Sequence, residues 1–200
     1  MTTANRSLDR LNWFRWVTAG EFAGFVLPAV AGAVAPWPAV LVLAGVVEGA
    51  VLGWAQARVL IRVLPGLPGL QWIATTAAAA GFAWTVAMTA TANGERLASL
   101  PAVVLLPVAA VLRMAVLLSI GTAQWLVLRY HVRNAHRWVW ATGVAWGVAL
   151  LVFLVVTTPL WQSGQGLALR VLIGVLGGLL MAATMAVITG TALARLVEER

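Results

Sequence analysis

Residues 101–128 read PAVVLLPVAAVLRMAVLLSIGTAQWLVL, and Arg113 is the only charged residue in this stretch. A helix rises about 1.5 Å per residue, so this stretch is longer than the roughly 30 Å hydrocarbon layer of a bilayer. Five other charge-poor blocks lie along the chain: residues 16–35, 38–57, 70–92, 138–161 and 167–194. The sequence therefore predicts six membrane-spanning helices that form one membrane domain, residues 1–200.

The composition supports an all-α integral membrane bundle. Hydrophobic residues make up 62% of the chain and charged residues 10%, which is too little polar surface for a soluble protein of this size. The apolar blocks lack the alternation of an outer-membrane barrel. The net charge of +7 comes from arginines at the block ends. Because they do not form a polar face with aromatic readers, we expect no nucleic-acid partner.

The positions of the arginines predict the orientation. They flank the N-terminus, the second and fourth connections and the C-terminus: Arg6, Arg10, Arg15, Arg58, Arg62, Arg129, Arg133, Arg137, Arg195 and Arg200. By the positive-inside rule, both termini are cytoplasmic in a multi-pass protein of the bacterial inner membrane, and residues 1–12 form a cytoplasmic tail. A tryptophan belt is expected on each side, with Trp13, Trp16, Trp72, Trp125 and Trp138 inside and Trp37 and Trp161 outside.

The first apolar block also contains a pattern that fits a signal-peptidase site, Ala29-Val30-Ala31. Glu21 lies within the same block and is unusual for the apolar core of a signal peptide. We therefore expect this block to be retained as the first span.

An internal repeat organises the six blocks into three hairpins, residues 13–62, 70–129 and 137–196. The inward helices start with similar triplets, Trp16-Val17-Thr18, Trp72-Ile73-Ala74 and Trp138-Val139-Trp140. The return helices end with Gly53-Trp54-Ala55-Gln56, Gly121-Thr122-Ala123-Gln124 and Gly190-Thr191-Ala192-Leu193. Copies with the same orientation are related by an axis along the membrane normal, so a pseudo-threefold bundle is predicted.

Small residues recur at four-residue spacing and predict close helix packing, because lipid supplies no hydrophobic drive between helices. The pairs are Gly20 with Gly24, Gly45 with Gly49 and Gly53, Gly143 with Gly147, and Gly174 with Gly178. Packing within one chain and a face for a second copy both fit this pattern.

The Gly-x-Ala-Gln helix ends, Leu128-Arg129 and the start Trp138-Val139-Trp140-Ala141-Thr142 resemble a family of small, uncharacterised polytopic membrane proteins of bacteria. The resemblance extends from Trp16 to about Leu196. It implies the same fold and no particular chemistry. The first copy departs from the pattern because Ile61-Arg62 lies further along.

Ionisable residues inside spans are costly and therefore candidate functional residues: Glu21, Glu48, Arg113 and Arg170. Glu48 lies roughly 15 Å along a helix from Arg58, near the middle of the membrane. Gln56 lies two turns further on the same helix face, so Glu48, Gln56 and Glu21 would line one polar track. Within the apolar blocks, only those of the first hairpin contain acidic residues, which favours a site over a packing role.

Three alternatives remain for Glu48. It pairs with Arg113, it forms a proton or cation site, or it is protonated and hydrogen-bonded. Gln56 and Gln124 are expected to bond across helices with about 1 kcal/mol. Arg170 is expected to extend to the outer headgroups.

The basic run after the fourth block holds candidate contacts for anionic lipids, namely Arg129, Arg133, His136 and Arg137. The alternative is that these charges only set topology. The chain has no cysteine, and no catalytic set, metal site or cofactor motif is visible. We therefore expect a non-enzymatic protein whose partners are membrane lipids and another membrane protein or a second copy. The alternative function is a small proton- or cation-linked transporter or channel that uses Glu48 and Glu21.

Overall fold

The computed structural model describes residues 3–199, with side chains from residue 10 onward. This part of the chain contains no strand and has seven helices: α1 (Thr3–Val34), α2 (Pro38–Val63), α3 (Gly69–Ala92), α4 (Gly94–Ala98), α5 (Ala102–Leu128), α6 (His136–Leu160) and α7 (Leu167–Glu198). All except α4 are long and apolar enough to cross a membrane, which confirms the all-α class and the six predicted spans. The chain is thus a multi-pass membrane protein. Arg6 and Arg200, whose charges were used to predict the orientation, lie outside the residues whose side chains the structure describes.

Several helices run further than the apolar blocks that predicted them. α1 begins at Thr3, inside the segment predicted as a tail, while α2 continues to Val63 and α7 to Glu198. Arginine and leucine are good helix formers, so a charge ends an apolar block without ending the helix. The connection after α2 turns at Gly66, whose φ of +93° lies in the left-handed region that favours glycine.

The six long helices form a closed ring in chain order. Each packs on the next, and α7 packs on α1, so every neighbouring pair is antiparallel. We call the end at which α1, α3 and α6 begin the basic end. Most of the core lies there, with Leu60, Leu64 and Leu128 fully or almost fully buried. Towards the other end the packing is looser, and α5 has no buried residue before Ile120.

Close backbone approach at glycines joins neighbouring helices, both at Gly49, where the spacing predicted it, and at Gly121, which was not among the spaced pairs. A Cβ atom at Gly49 would lie 2.8 Å from the carbonyl oxygen of Thr76, and one at Gly121 would lie 2.9 Å from that of Val139. These contacts join α2 to α3 and α5 to α6. The packing role predicted for Gly147 is wrong, because a Cβ there would meet nothing within 4 Å.

Candidate functional site

Three buried tryptophans near the basic end each donate a hydrogen bond to the hairpin that precedes them around the ring. The pairs are Trp13 Nε1 to Thr189 Oγ1 at 3.1 Å, Trp72 Nε1 to Gln56 Oε1 at 3.1 Å and Trp138 Nε1 to Gln124 Oε1 at 2.8 Å. We call these six residues the polar layer. Because each bond runs from the first helix of one hairpin to the last helix of another, the layer links all three hairpins.

Gln124 is the junction of the polar layer. Its Nε2 donates to Gln56 Oε1 at 2.7 Å and to Thr76 Oγ1 at 3.0 Å. The hydrogen bond predicted between Gln56 and Gln124 is therefore confirmed. Both side chains are fully buried, so water does not compete for these bonds.

Two of the six residues in the polar layer differ from those that the repeat pattern in the sequence selected. Trp13 rather than Trp16 lies beside Trp138, with ring centroids 6.0 Å apart. In the last hairpin, Thr189 accepts the bond, one turn before Leu193. The belt position predicted for Trp13, Trp72 and Trp138 is wrong, because these indoles are at most 1% exposed. Their N–H groups are satisfied by protein side chains instead of lipid headgroups.

An apolar layer lies next to the polar layer, on the side away from the basic end. Leu52 and Met185 are one helical turn from Gln56 and Thr189, and Ile120 is one turn from Gln124. All three are buried. Leu52 therefore interrupts the polar track that was predicted to run from Glu48 to Gln56.

A cavity of about 270 Å³ lies inside the ring beyond this apolar layer. All six long helices contribute to its wall, for example with Phe25, Glu48, Trp84, Val116, Trp146 and Met181. The wall is almost wholly apolar apart from the Glu48 carboxyl. The buried Nε1 of Trp146 has no hydrogen-bond partner in the part of the chain described. The cavity thus combines apolar walls with few polar groups, as small-molecule sites do.

Glu48 is the acidic group of this cavity. It is 8% exposed, and its Oε2 accepts a hydrogen bond of 2.8 Å from Trp84 Nε1 on α3. The predicted pair with Arg113 is not formed, because the Arg113 side chain is exposed on α5 whereas Glu48 is buried in the cavity wall. Arg170 is exposed as well. Within residues 10–199 no basic group accompanies Glu48.

Glu21 is the second buried acid, on α1. Its side chain is fully buried, and neither carboxyl oxygen has a hydrogen-bond partner among the described residues. It lies within electrostatic range of Glu48. Gly24, one turn further along α1, packs directly on Glu48, with a virtual Cβ 3.1 Å from its carbonyl oxygen. The two acids are thus brought together on adjacent helices.

The predicted lipid contacts lie apart from the cavity, at the basic end. Arg129 stacks on the rings of Trp125 and Tyr130, at 5.2 and 4.8 Å from their centroids. Arg137 forms a salt bridge of 2.7 Å with Glu199. The remaining two, Arg133 and His136, are exposed on the same surface.

The cavity also contains residues that the sequence reading missed. Phe25, Trp84 and Trp146 line it, although they were not among the predicted site residues. Aromatic residues in the middle of spans, away from both expected belts, were the available signal. Within the described chain, no three acidic, histidine or cysteine side chains lie together as metal ligands would.

No model of a known protein family, no curated protein and no solved structure matches the chain.

Proposed function

We propose that this membrane protein binds a small apolar molecule with one positive charge in its central cavity, and that it acts as a non-enzymatic carrier for that molecule. The observation that carries the proposal is the buried carboxyl of Glu48 in an otherwise apolar cavity of about 270 Å³. A buried carboxylate needs a compensating charge, and no described side chain supplies one.

The aromatic residues support a cationic ligand. Phe25, Trp84 and Trp146 line the same cavity as Glu48. Aromatic faces attract organic cations, and the attraction strengthens where water is excluded. An alkylammonium or similar cation would therefore contact both a carboxylate and aromatic rings, while its apolar substituents fill the remaining volume.

Access and orientation form a further part of the proposal. The apolar and polar layers close the cavity towards the basic end, whereas α5 is loosely packed on the other side. By the positive-inside rule we place the basic end in the bacterial cytoplasm, so that both termini are cytoplasmic and the ligand enters from outside. Exposed Arg133 and His136 would then face anionic headgroups.

The pseudo-threefold repeat is proposed with a corrected alignment. The three indole hydrogen bonds support aligning Trp13 with Trp72 and Trp138. Counting from these residues, Glu21 corresponds to Ala80 and Trp146. The acidic site then belongs to one hairpin of a repeated scaffold.

Binding of benzyltrimethylammonium to detergent-purified protein, measured by equilibrium dialysis, tests the cavity. Glu48→Gln keeps an acceptor for Trp84 and removes the charge. We expect the affinity for this cation to fall by about tenfold or more, which is 1.4 kcal/mol or more. The affinity for neopentylbenzene, its uncharged carbon analogue, is expected to change little.

Glu95→Gln is the matched control, because Glu95 is an exposed acid on α4 outside the cavity. It is expected to leave binding of both probes unchanged. Equal affinities of the unmodified protein and Glu48→Gln for the cation would refute the proposed site. Uptake of the cation into proteoliposomes then tests the carrier role, and binding without uptake would contradict that role alone.

A further inference from the structure

We propose that Thr18 and Glu21 form a separate site for one small monovalent cation, H⁺ or Na⁺, in the wall of the ring beside Glu48. This site does not depend on whether a ligand binds in the central cavity. It rests on the oxygens of one turn of α1 and on the charges around them.

The Glu21 carboxyl supplies two oxygens of the proposed site. It is fully buried, and both of its oxygens lack a hydrogen-bond donor within the described chain. An ionised carboxylate in this position would be strongly unfavourable unless a cation neutralised it. A bound proton or a bound metal cation removes that penalty.

Another observation concerns the hydroxyl of Thr18, which lies one turn before Glu21 on the same helix face. Its Oγ1 is buried and has no hydrogen-bond partner among the side chains and backbone that the structure describes. Threonines elsewhere in the spans, such as Thr76 and Thr85, donate to the carbonyl of the preceding turn at 2.8 and 2.7 Å. Thr18 and Glu21 therefore place three oxygens without a hydrogen-bond partner among the described residues on one turn of α1, and oxygen donors of this kind suit hard cations.

The surrounding charges favour a single positive charge. α1 packs on α2 and α7, and Glu48 is the only other buried ionisable group described on these three helices. Their remaining described charges are exposed: Arg10, Arg15, Arg58, Arg62, Arg170, Arg195 and Glu198. Glu48 is held towards the cavity by Trp84. One monovalent cation is therefore sufficient to neutralise the Thr18–Glu21 turn.

Thermal unfolding of the detergent-purified full chain tests this site. Na⁺ is compared with N-methyl-D-glucamine at constant ionic strength, at acidic and at alkaline pH. If Na⁺ is the ligand, a Na⁺ concentration of ten times its Kd raises the melting temperature by roughly 3–6 °C. If the ligand is a proton, the melting temperature falls as pH rises, because the folded state holds a proton that the unfolded chain releases.

Glu21→Gln is expected to remove the Na⁺ dependence, or the part of the pH dependence that does not come from Glu48, and Thr18→Val to weaken the Na⁺ dependence. Glu48→Gln is the matched control, since it removes the other buried acid and is expected to retain the part of the response that depends on Glu21. Infrared spectra distinguish the two ligands, because only a protonated Glu21 gives a carboxylic-acid carbonyl band that Glu21→Gln lacks.

The inference would be overturned if Glu21→Gln showed the same Na⁺ and pH dependence as the unmodified protein and the infrared spectra contained no band that depends on Glu21. If Glu21→Gln does not fold, Thr18→Val and the unmodified protein decide the question. Identical Na⁺ responses in these two, with no buried carboxylic-acid band in Glu48→Gln, would overturn it equally. None of these outcomes depends on the cation-binding test of the central cavity.

Discussion

Replacement of Gln124 by leucine tests whether the polar layer stabilises the ring. The substitution keeps most of the side-chain volume and removes three hydrogen bonds, to Gln56, Thr76 and Trp138. Gln56 Oε1 keeps its bond from Trp72, and the Thr76 hydroxyl still donates to a helix carbonyl. Among the described groups that bond to Gln124, the indole N–H of Trp138 is the one that loses its only hydrogen bond.

The expected loss follows from these bonds. Interhelical hydrogen bonds in membrane proteins contribute about 0.6 kcal/mol each on average, and an orphaned buried donor costs about 1 kcal/mol more. The buried leucine offsets about 1 kcal/mol of this loss. We therefore expect Gln124→Leu to lower the free energy of unfolding by about 2 kcal/mol, or the melting temperature by about 4–8 °C.

Reversible unfolding by SDS in mixed micelles, followed by far-ultraviolet circular dichroism, measures this difference. Gln71→Leu is the control because Gln71 is exposed on α3, and we expect its effect to stay within about 0.5 kcal/mol. Trp138→Phe should destabilise the protein alone and add little in the Gln124→Leu background, since Gln124 is the acceptor for this indole. Equal effects of Gln124→Leu and Gln71→Leu, or full additivity with Trp138→Phe, would refute the reasoning.

Three other predictions concern packing, surface charge and the buried acid. Gly121→Ala should lower the free energy of unfolding by about 1–3 kcal/mol, because the added Cβ meets the backbone of a neighbouring helix. Gly147→Ala should be neutral or stabilising, because its Cβ meets nothing within 4 Å. Equal effects of the two substitutions in SDS unfolding would contradict this prediction. The Asn134 amide holds the pKa of Glu199 below its ordinary value, so Asn134→Ala should raise that pKa in an NMR titration. At neutral pH the contact between Asn134 and the ionised Glu199 stabilises the folded state, and this stabilisation is lost as pH falls through the folded-state pKa of Glu199. An unchanged NMR titration of Glu199 in Asn134→Ala would disprove this prediction. Glu21→Met should raise the free energy of unfolding at alkaline pH without Na⁺ by about 1 kcal/mol or more, because an apolar side chain replaces an unpartnered carboxyl; a clear loss of stability would indicate a structural role.

The six spans could be predicted because block length and the absence of charge depend on the bilayer alone. The register of the proposed repeat could not be predicted in the same way. Trp13 and Trp16 are one turn apart, and either would satisfy a tryptophan at the start of the first helix. Only the packing of α1 on α7 places Trp13 next to Thr189.

The failed pairing of Glu48 with Arg113 has a related cause. Depth in the membrane can be counted along a helix from the sequence, but the direction of a side chain around the helix and the order of helices in the ring cannot. α2 packs on α1 and α3, while Arg113 is exposed on α5. The cavity was missed for the same reason, because its aromatic wall comes from residues on separate helices.

The alignment of the proposed repeat supports a binding role for the two acids. Counting from Gln56 and its counterparts Gln124 and Thr189, Glu48 corresponds to Val116 and Met181, which line the same cavity. Apolar side chains therefore fill this interior position in the other two hairpins, as Ala80 and Trp146 fill the position of Glu21. A scaffold that closes with apolar residues at two of three equivalent places has no packing need for a carboxyl at the third. Because each buried acid is unfavourable without a counter-charge, a bound cation provides the physical reason for its presence.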